Sequence, residues 1–181
     1  PPVVHALAHA INSALGAVEA GIVAYIASPE VSPVDQVASA GQLVESLKSG
    51  GVSLLVMLGG NPVYSTPSAL KFGEALDLAT KGDAEAGRNA TLTVHLTTEQ
   101  NETSERCHWV IPESHYLESW GDVRAYDGTL SIIQPLIRPL YNSKSPQEVL
   151  SVLLGEDALT DYDLVHTAWL NANGVDSEKA W

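Results

Sequence analysis

The residues of this 181-residue chain that could do proton, metal or nucleophilic chemistry are six histidines, one cysteine and a scatter of carboxylates. His5 and His9 are four apart in a helical pattern, which sets two imidazoles on one helix face. A metal pair of this kind needs a third ligand, and HExxH needs a glutamate that is missing here, so an ordinary helix surface is expected. His95, His108 and His115 fall on or near neighbouring predicted strands. They meet at one metal only if all three point to one face, and structural roles are expected instead. Cys107 and His108 are adjacent, and adjacent strand side chains point to opposite faces, which argues against a Cys–His dyad. No GxSxG elbow occurs. Glu113, Glu118, Asp122 and Asp127 could pair as acid and base, but in an irregular acidic stretch solvated carboxylates are expected. Spacing and chemistry therefore show no catalytic residue and no metal site.

What remains is binding chemistry, and it centres on Gly50–Ser68, GGVSLLVMLGGNPVYSTPS. An unbroken apolar run, Val52–Leu58, reads as a strand buried on both faces, as in a parallel sheet. Gly59-Gly60-Asn61-Pro62 breaks it, and Thr66-Pro67-Ser68 starts a helix expected over Pro67–Ala79. Glycines let backbone approach a ligand, and a helix start offers free N–H groups to an anion. The turn is neither GxGxxG nor a P-loop. On the pattern alone, a tight structural turn is the simpler reading.

The elements that must position this turn follow in order. Apolar residues at helical spacing span 2–19, and Ile22–Ala27 (IVAYIA) reads as a short strand. Asp35–Lys48 is a helix stopped by Gly50-Gly51, and Thr80–Asn89 an exposed loop. Thr91–Leu96 is a strand, Glu102–Arg106 one helical turn, and His108–Ile111 another strand closed by Pro112. This α-β-α-β-α-β-β order implies a mostly parallel sheet. Glu113–Tyr141 is irregular; Trp109, Tyr116, Trp120, Tyr126 and Tyr141 make this region a packed loop or an interface. Ser145-Pro146-Gln147-Glu148 is a capping-box start for a helix to Leu154. A last helix spans roughly 161–170, with 171–181 a frayed tail.

Composition sets the limits. Apolar residues make up 45% of the chain, a globular level, and the length suits one domain with a full core. A net charge of −13 repels phosphate backbones and anionic lipid, so neither nucleic acid nor direct membrane insertion is expected. No apolar run approaches the roughly 20 residues of a bilayer span. Cys107, the single cysteine, excludes an internal disulfide, a zinc ribbon and a cysteine-ligated cluster. The start Pro-Pro-Val-Val, running directly into a helix, looks like a domain excised from a longer protein.

One ordered pattern is more specific than any single motif. A strand, GGNP, a helix and a strand are followed by Asn101-Glu102-Thr103, the strand HWVIP, and Tyr116-Leu117-Glu118-Ser119-Trp120-Gly121. This resembles the molybdopterin oxidoreductase (dimethyl sulfoxide reductase) superfamily, where a G-x-N-P turn precedes D…TET…ADVVLP…E..G. The run LESWGD-RAYDGT-SIIQPLI-PLY, Leu117 to Leu154 with its leucine-rich helix, is similar in particular to the molybdopterin-like subunit of alternative complex III, including fused, twin-arginine-translocated forms. The resemblance covers about 50–154 and reaches more weakly back to the HALAHAIN helix. Two departures stand out: His108-Trp109 replaces a small Ala-Asp pair, and Asp122–Leu140 lacks the N-x-E-G-R-x-Q run of cofactor-binding members.

The resemblance implies a Rossmann-like lobe of the kind that cradles a pterin dinucleotide. Gly59, Gly60, Asn61 and Pro62 would line the nucleotide side, Glu102 and Thr103 would shape the turn after the next strand, and Glu118 with Gly121 would hold the irregular loop. The alternative complex III subunits have lost the molybdenum cofactor and act as scaffolds beside iron–sulfur modules. The expectation is therefore one α/β, Rossmann-like three-layer domain over 1–181, with its core in 1–170. It would be a structural lobe of a quinol-linked respiratory oxidoreductase on the periplasmic side of the membrane, without its own cofactor. Its partners would be the remaining domains of the parent chain, which carry the iron–sulfur clusters, and other subunits of the complex. The alternatives are an active domain that binds molybdopterin guanine dinucleotide, and a protein-interaction module.

Overall fold

A computed structural model describes residues 2–28, 30, 32–83, 85, 87, 89–156 and 159–173. The chain divides into two compact units, Pro1–Pro33 with Arg124–Leu130, and Val34–Val123 with Ser131–Trp181.

The first unit is built on α1, Pro2–Ala14. The apolar spacing predicts a helix to residue 19, but Gly16 adopts φ +69° and ends it. The Ala17 N–H then reaches back to the Asn12 carbonyl at 3.0 Å, so the orphan carbonyls of the last turn are satisfied by a Schellman-type closure. Ile22–Ala27 is not a strand. A ladder needs a neighbouring edge, and among the described residues no strand pairs with this run. It is tied to α1 through Tyr25, whose hydroxyl lies 3.0 Å from His9 Nδ1.

The second unit is α/β. Its sheet has three parallel strands in the order β1 (Leu54–Leu58), β2 (Leu92–Thr97), β3 (Trp109–Pro112). Register places Leu55 beside Thr93 and Met57 beside His95, and continues with His95 beside Val110. Ahead of β1 comes α2, Gln36–Ser49, capped by the Asp35 carboxylate on Ala38 N–H and ended by Gly50 at φ +76°. Between β1 and β2 the sequence predicts one helix from Pro67 to Ala79. Three pieces stand there instead: α3 (Pro62–Ser65), a 3-10 turn (Ser68–Leu70) and α4 (Phe72–Lys81). Pro67 forces Thr66 into an extended conformation with ψ 143°, and Lys71 turns left-handed at φ +53°, so each interrupts the winding.

Val44 and Leu47 of α2, Leu55 and Met57 of β1, and Phe72, Ala75, Leu76 and Ala79 of α4 form the core cluster. The α4 residues recur at three and four, which lays one apolar stripe on the sheet. In β2 the alternation predicted for TLTVHL holds from Thr91 to His95, where the polar members are the buried ones, and ends at Leu96, which is fully buried as well. Thr91, Thr93, His95 and Thr97 are all buried, whereas Leu92 stays exposed. The threonines are satisfied internally: Thr91 Oγ1 donates to the Val52 carbonyl at 2.6 Å, and Thr97 Oγ1 to the Glu99 carbonyl at 2.9 Å.

The stretch predicted as irregular contains a two-stranded hairpin, β4 (Gly121–Arg124) and β5 (Leu130–Ile133). Its turn is Asp127-Gly128, with Gly128 at φ +88° and Asp127 Oδ1 accepting from Thr129 N at 2.9 Å. After it comes α5, Pro146–Leu153, opened by the capping box that the sequence predicts: Ser145 accepts from Glu148 N while Glu148 accepts from Ser145 N. The last helix, α6, is Asp161–Asn173. The loop predicted at 80–89 begins after Lys81, because α4 continues to that residue, and part of it, like most of the predicted tail, lies outside the described residues. No described helix is long and apolar enough to cross a membrane.

Candidate functional site

The turn after β1 is built by two consecutive left-handed glycines, Gly59 at φ +75° and Gly60 at φ +72°. Gly59 N–H donates to the Leu96 carbonyl at 2.8 Å, so the turn stays attached to the end of β2. Because β1 and β2 are parallel, their carboxyl ends lie at the same edge of the sheet. That edge therefore receives both the GGNP turn and the Asn101-Glu102-Thr103 loop, 40 residues apart in the chain.

The two motifs lock together through Asn61. Its Nδ2 donates to Glu102 Oε2 at 2.6 Å, and its Oδ1 accepts the Thr103 hydroxyl at 2.7 Å. Thr103 Oγ1 also accepts the Val63 N–H at 3.0 Å, one of the donors that the start of α3 leaves over. Asn101 Oδ1 in turn accepts from Thr103 N and Ser104 N, both at 3.1 Å, and starts the 3-10 turn Ser104–Arg106. The Asn61 amide holds the exposed Glu102 carboxyl below its ordinary pKa. Six of the residues singled out from the sequence are thus brought together: Gly59, Gly60, Asn61, Pro62, Glu102 and Thr103.

Glu118 belongs elsewhere. Its carboxylate accepts from His115 N and from Leu140 N, both at 3.0 Å, and clasps the loop between them. Those two backbone bonds, His115 first, hold its pKa down.

Two further residues complete the turn, in roles other than the metal and acid–base ones weighed for them in the sequence. His95 is fully buried on the central strand, and its Nε2 lies 3.1 Å from the Gly60 carbonyl. Glu113 follows β3, where its N–H donates to the Thr97 carbonyl at 2.9 Å. A Cβ added to Gly59 would lie 3.4 Å from Glu113 Oε2. Burial pushes the Glu113 carboxyl up, with the charge of His95 opposing that shift. The place of Glu113 beside the turn could have been found from its position at a strand end; that of His95 could not, because its partner is a backbone carbonyl.

The three strand histidines do not converge. His108 Nδ1 lies 2.9 Å from Thr93 Oγ1, His115 Nδ1 accepts from Leu117 N at 3.3 Å, and His95 serves Gly60. Among the described residues no group of three or more His, Cys, Asp or Glu is placed to hold a metal. Cys107 is half-buried with its Sγ 3.2 Å from the Thr103 carbonyl, and burial raises its pKa, which lowers thiolate reactivity.

A cavity of about 360 Å³ borders the turn, lined by Ala40, Leu43, Met57, Phe72 and the GGNP residues. No charged side chain lines it. Beyond it, Arg106 is paired with Asp77, and Lys71 with Glu74 at 3.2 Å. In the aromatic stretch, Trp120 is half-buried and packs edge-on against Tyr162 with centroids 5.1 Å apart. Tyr116, Tyr126 and Tyr141 are exposed. Compared with known proteins, the chain matches no family model and no curated sequence.

Proposed function

We propose that this chain is a structural lobe of a respiratory, quinol-linked electron-transfer oxidoreductase, shaped like a dinucleotide cradle and carrying no cofactor of its own. The observation behind this reading is the double engagement of Asn61. A cradle residue offers its amide to a ligand, but here both ends of that amide are held by Glu102 and Thr103. The start of α3 is engaged in the same way: Val63 N–H is held by Thr103, and Pro62 has no N–H to offer.

The alternative, an active domain that binds molybdopterin guanine dinucleotide, fits these residues poorly. A pyrophosphate is repelled by carboxylates, and those of Glu102 and Glu113 flank the turn. The periplasmic setting, the neighbouring iron–sulfur modules and the partner subunits rest on the resemblance alone and belong to the same proposal.

The test is molybdenum and tungsten content, with pterin fluorescence after oxidation, on the full-length parent purified from its native membrane. The expected result is a complex that oxidises quinol with neither metal nor pterin in stoichiometric amount. About one metal per chain together with pterin would overturn the reading. Calorimetric titration of the 181-residue chain with guanosine diphosphate adds a direct check, with no binding heat expected.

A further inference from the structure

An edge strand presents backbone groups that its own sheet cannot satisfy. The order β1-β2-β3 makes β1 such an edge. Which of its groups face outward follows from two bonds at its ends. The Ser53 carbonyl accepts from Leu92 N at 2.9 Å, and Gly59 N–H donates to the Leu96 carbonyl at 2.8 Å. In a parallel ladder a residue turns both its groups to one side and its neighbours turn theirs to the other. Ser53, Leu55, Met57 and Gly59 therefore face β2, while Leu54, Val56 and Leu58 turn N–H and C=O away from it. Among the described residues none of these outward groups has a hydrogen-bond partner. Leu54 is 45% exposed and Leu58 39%. Edges are commonly guarded by Lys, Pro or a bulge, and the LLVML of β1 has none of them.

We propose that β1 pairs with β1 of a second copy of this chain, antiparallel about a two-fold axis at Val56, joining the two three-stranded sheets into one. Register selects the occupant. Antiparallel pairing must set outward residues opposite outward residues, and an axis at Val56 does so for all three. Val56 meets the partner's Val56, and Leu54 meets the partner's Leu58. Each such pair exchanges both its N–H···O bonds, so every free group of the edge is satisfied and none is left over. The axis is normal to the sheet, so the side chains of Leu54, Val56 and Leu58 stay on one face and pack across the seam.

Charge is compatible with this seam. Two copies of net charge −13 repel, and approach is least opposed where neither presents a charge. No charged side chain occurs between Lys48 and Lys71, the stretch that contains β1. Added salt screens the remaining repulsion, so pairing strengthens with ionic strength. A seam of one short strand per copy is small, which sets the dissociation constant on the order of 100 μM. The pairing does not depend on whether the GGNP turn binds a nucleotide.

The experiment is sedimentation equilibrium of the 181-residue chain up to about 1 mM, with amide exchange followed by NMR over the same range. A monomer–dimer equilibrium is expected. Exchange at Leu54, Val56 and Leu58 should slow as the dimer fills, while Leu55 and Met57, already bonded to β2, stay unchanged. Two double variants test the register: Leu54→Lys with Leu58→Lys, and Leu54→Glu with Leu58→Glu, all at exposed positions. Each alone sets like charges opposite and should be monomeric, with far-UV circular dichroism unchanged. Mixed in equal amounts they should form a heterodimer at least about tenfold tighter than either self-pair. A monomer at every concentration would overturn the proposal, since the strand that covers this edge would then belong to another polypeptide. So would a dimer that leaves exchange at Leu54, Val56 and Leu58 unaltered, a readout that needs no variant. Folded double variants that still dimerise alone, or that fail to pair when mixed, would overturn it as well.

Discussion

The hydroxyl of Thr103 stands between two loops, donating to Asn61 Oδ1 and accepting from Val63 N–H, and the residue is fully buried. Thr103→Val keeps the shape and leaves both partners unmatched inside the fold. A loss of about 1–3 kcal/mol is expected in chemical denaturation, since an unsatisfied buried group carries its whole desolvation cost. Gly60 makes a different case: its φ of +72° is strained for any side chain, yet no atom lies within 4 Å of an added Cβ. Gly60→Val should therefore cost about 1–3 kcal/mol through backbone strain alone, and Gly60→Asn clearly less, because Asn tolerates the left-handed region. Equal melting temperatures for the two variants would refute strain as the cause. Glu113 carries a pH signature. Burial raises its folded pKa above the unfolded value, so the folded state holds the proton more tightly and ionisation costs stability as pH rises through that window. Glu113→Gln should raise the melting temperature near neutrality, and the gain should vanish below the ordinary glutamate pKa.

At the scale of elements, local chemistry decides where helices start and stop. The Ser145–Glu148 capping box was legible from four residues, and Ser145 is fully buried beneath it. Ser145→Ala is expected to cost about 1 kcal/mol, with faster amide exchange confined to the first turn of α5 as the readout. The Gly50-Gly51 stop was equally legible, because a left-handed glycine closes a helix wherever it occurs. Elements that need a distant partner were not legible. Ile22–Ala27 has the composition of a strand, but composition supplies no edge to pair with. The hairpin of β4 and β5 had a signal in Asp127-Gly128, hidden by flanking residues that do not alternate in a simple way.

For the whole molecule, the governing quantity is the net charge of −13, carried by 22 acidic and nine basic residues. Like charges on a compact chain repel, and added salt screens them over a Debye length that falls from about 30 Å at 0.01 M to about 8 Å at 0.15 M. Raising sodium chloride across that range should raise the melting temperature. Ion pairs such as Lys48–Glu45 and Lys71–Glu74 are too exposed to reverse that sign. A fall in stability with salt would mean that attractive pairs dominate the surface.

The sequence by itself determined the Ser145–Glu148 capping box, the Gly50 helix stop, the central strands, the α/β class and the two motifs GGNP and Asn101-Glu102-Thr103. All of these rest on interactions within a few residues or on a periodicity that shows in a short window. Tertiary structure alone decided that Asn61 turns inward to Glu102 and Thr103, that His95 supports Gly60, and that Glu118 clasps a separate loop. It also decided which face of β2 is buried. Alternation announces two faces without saying which one the helices cover; the packing of α2 and α4 chose Thr93 and His95 and left Leu92 exposed.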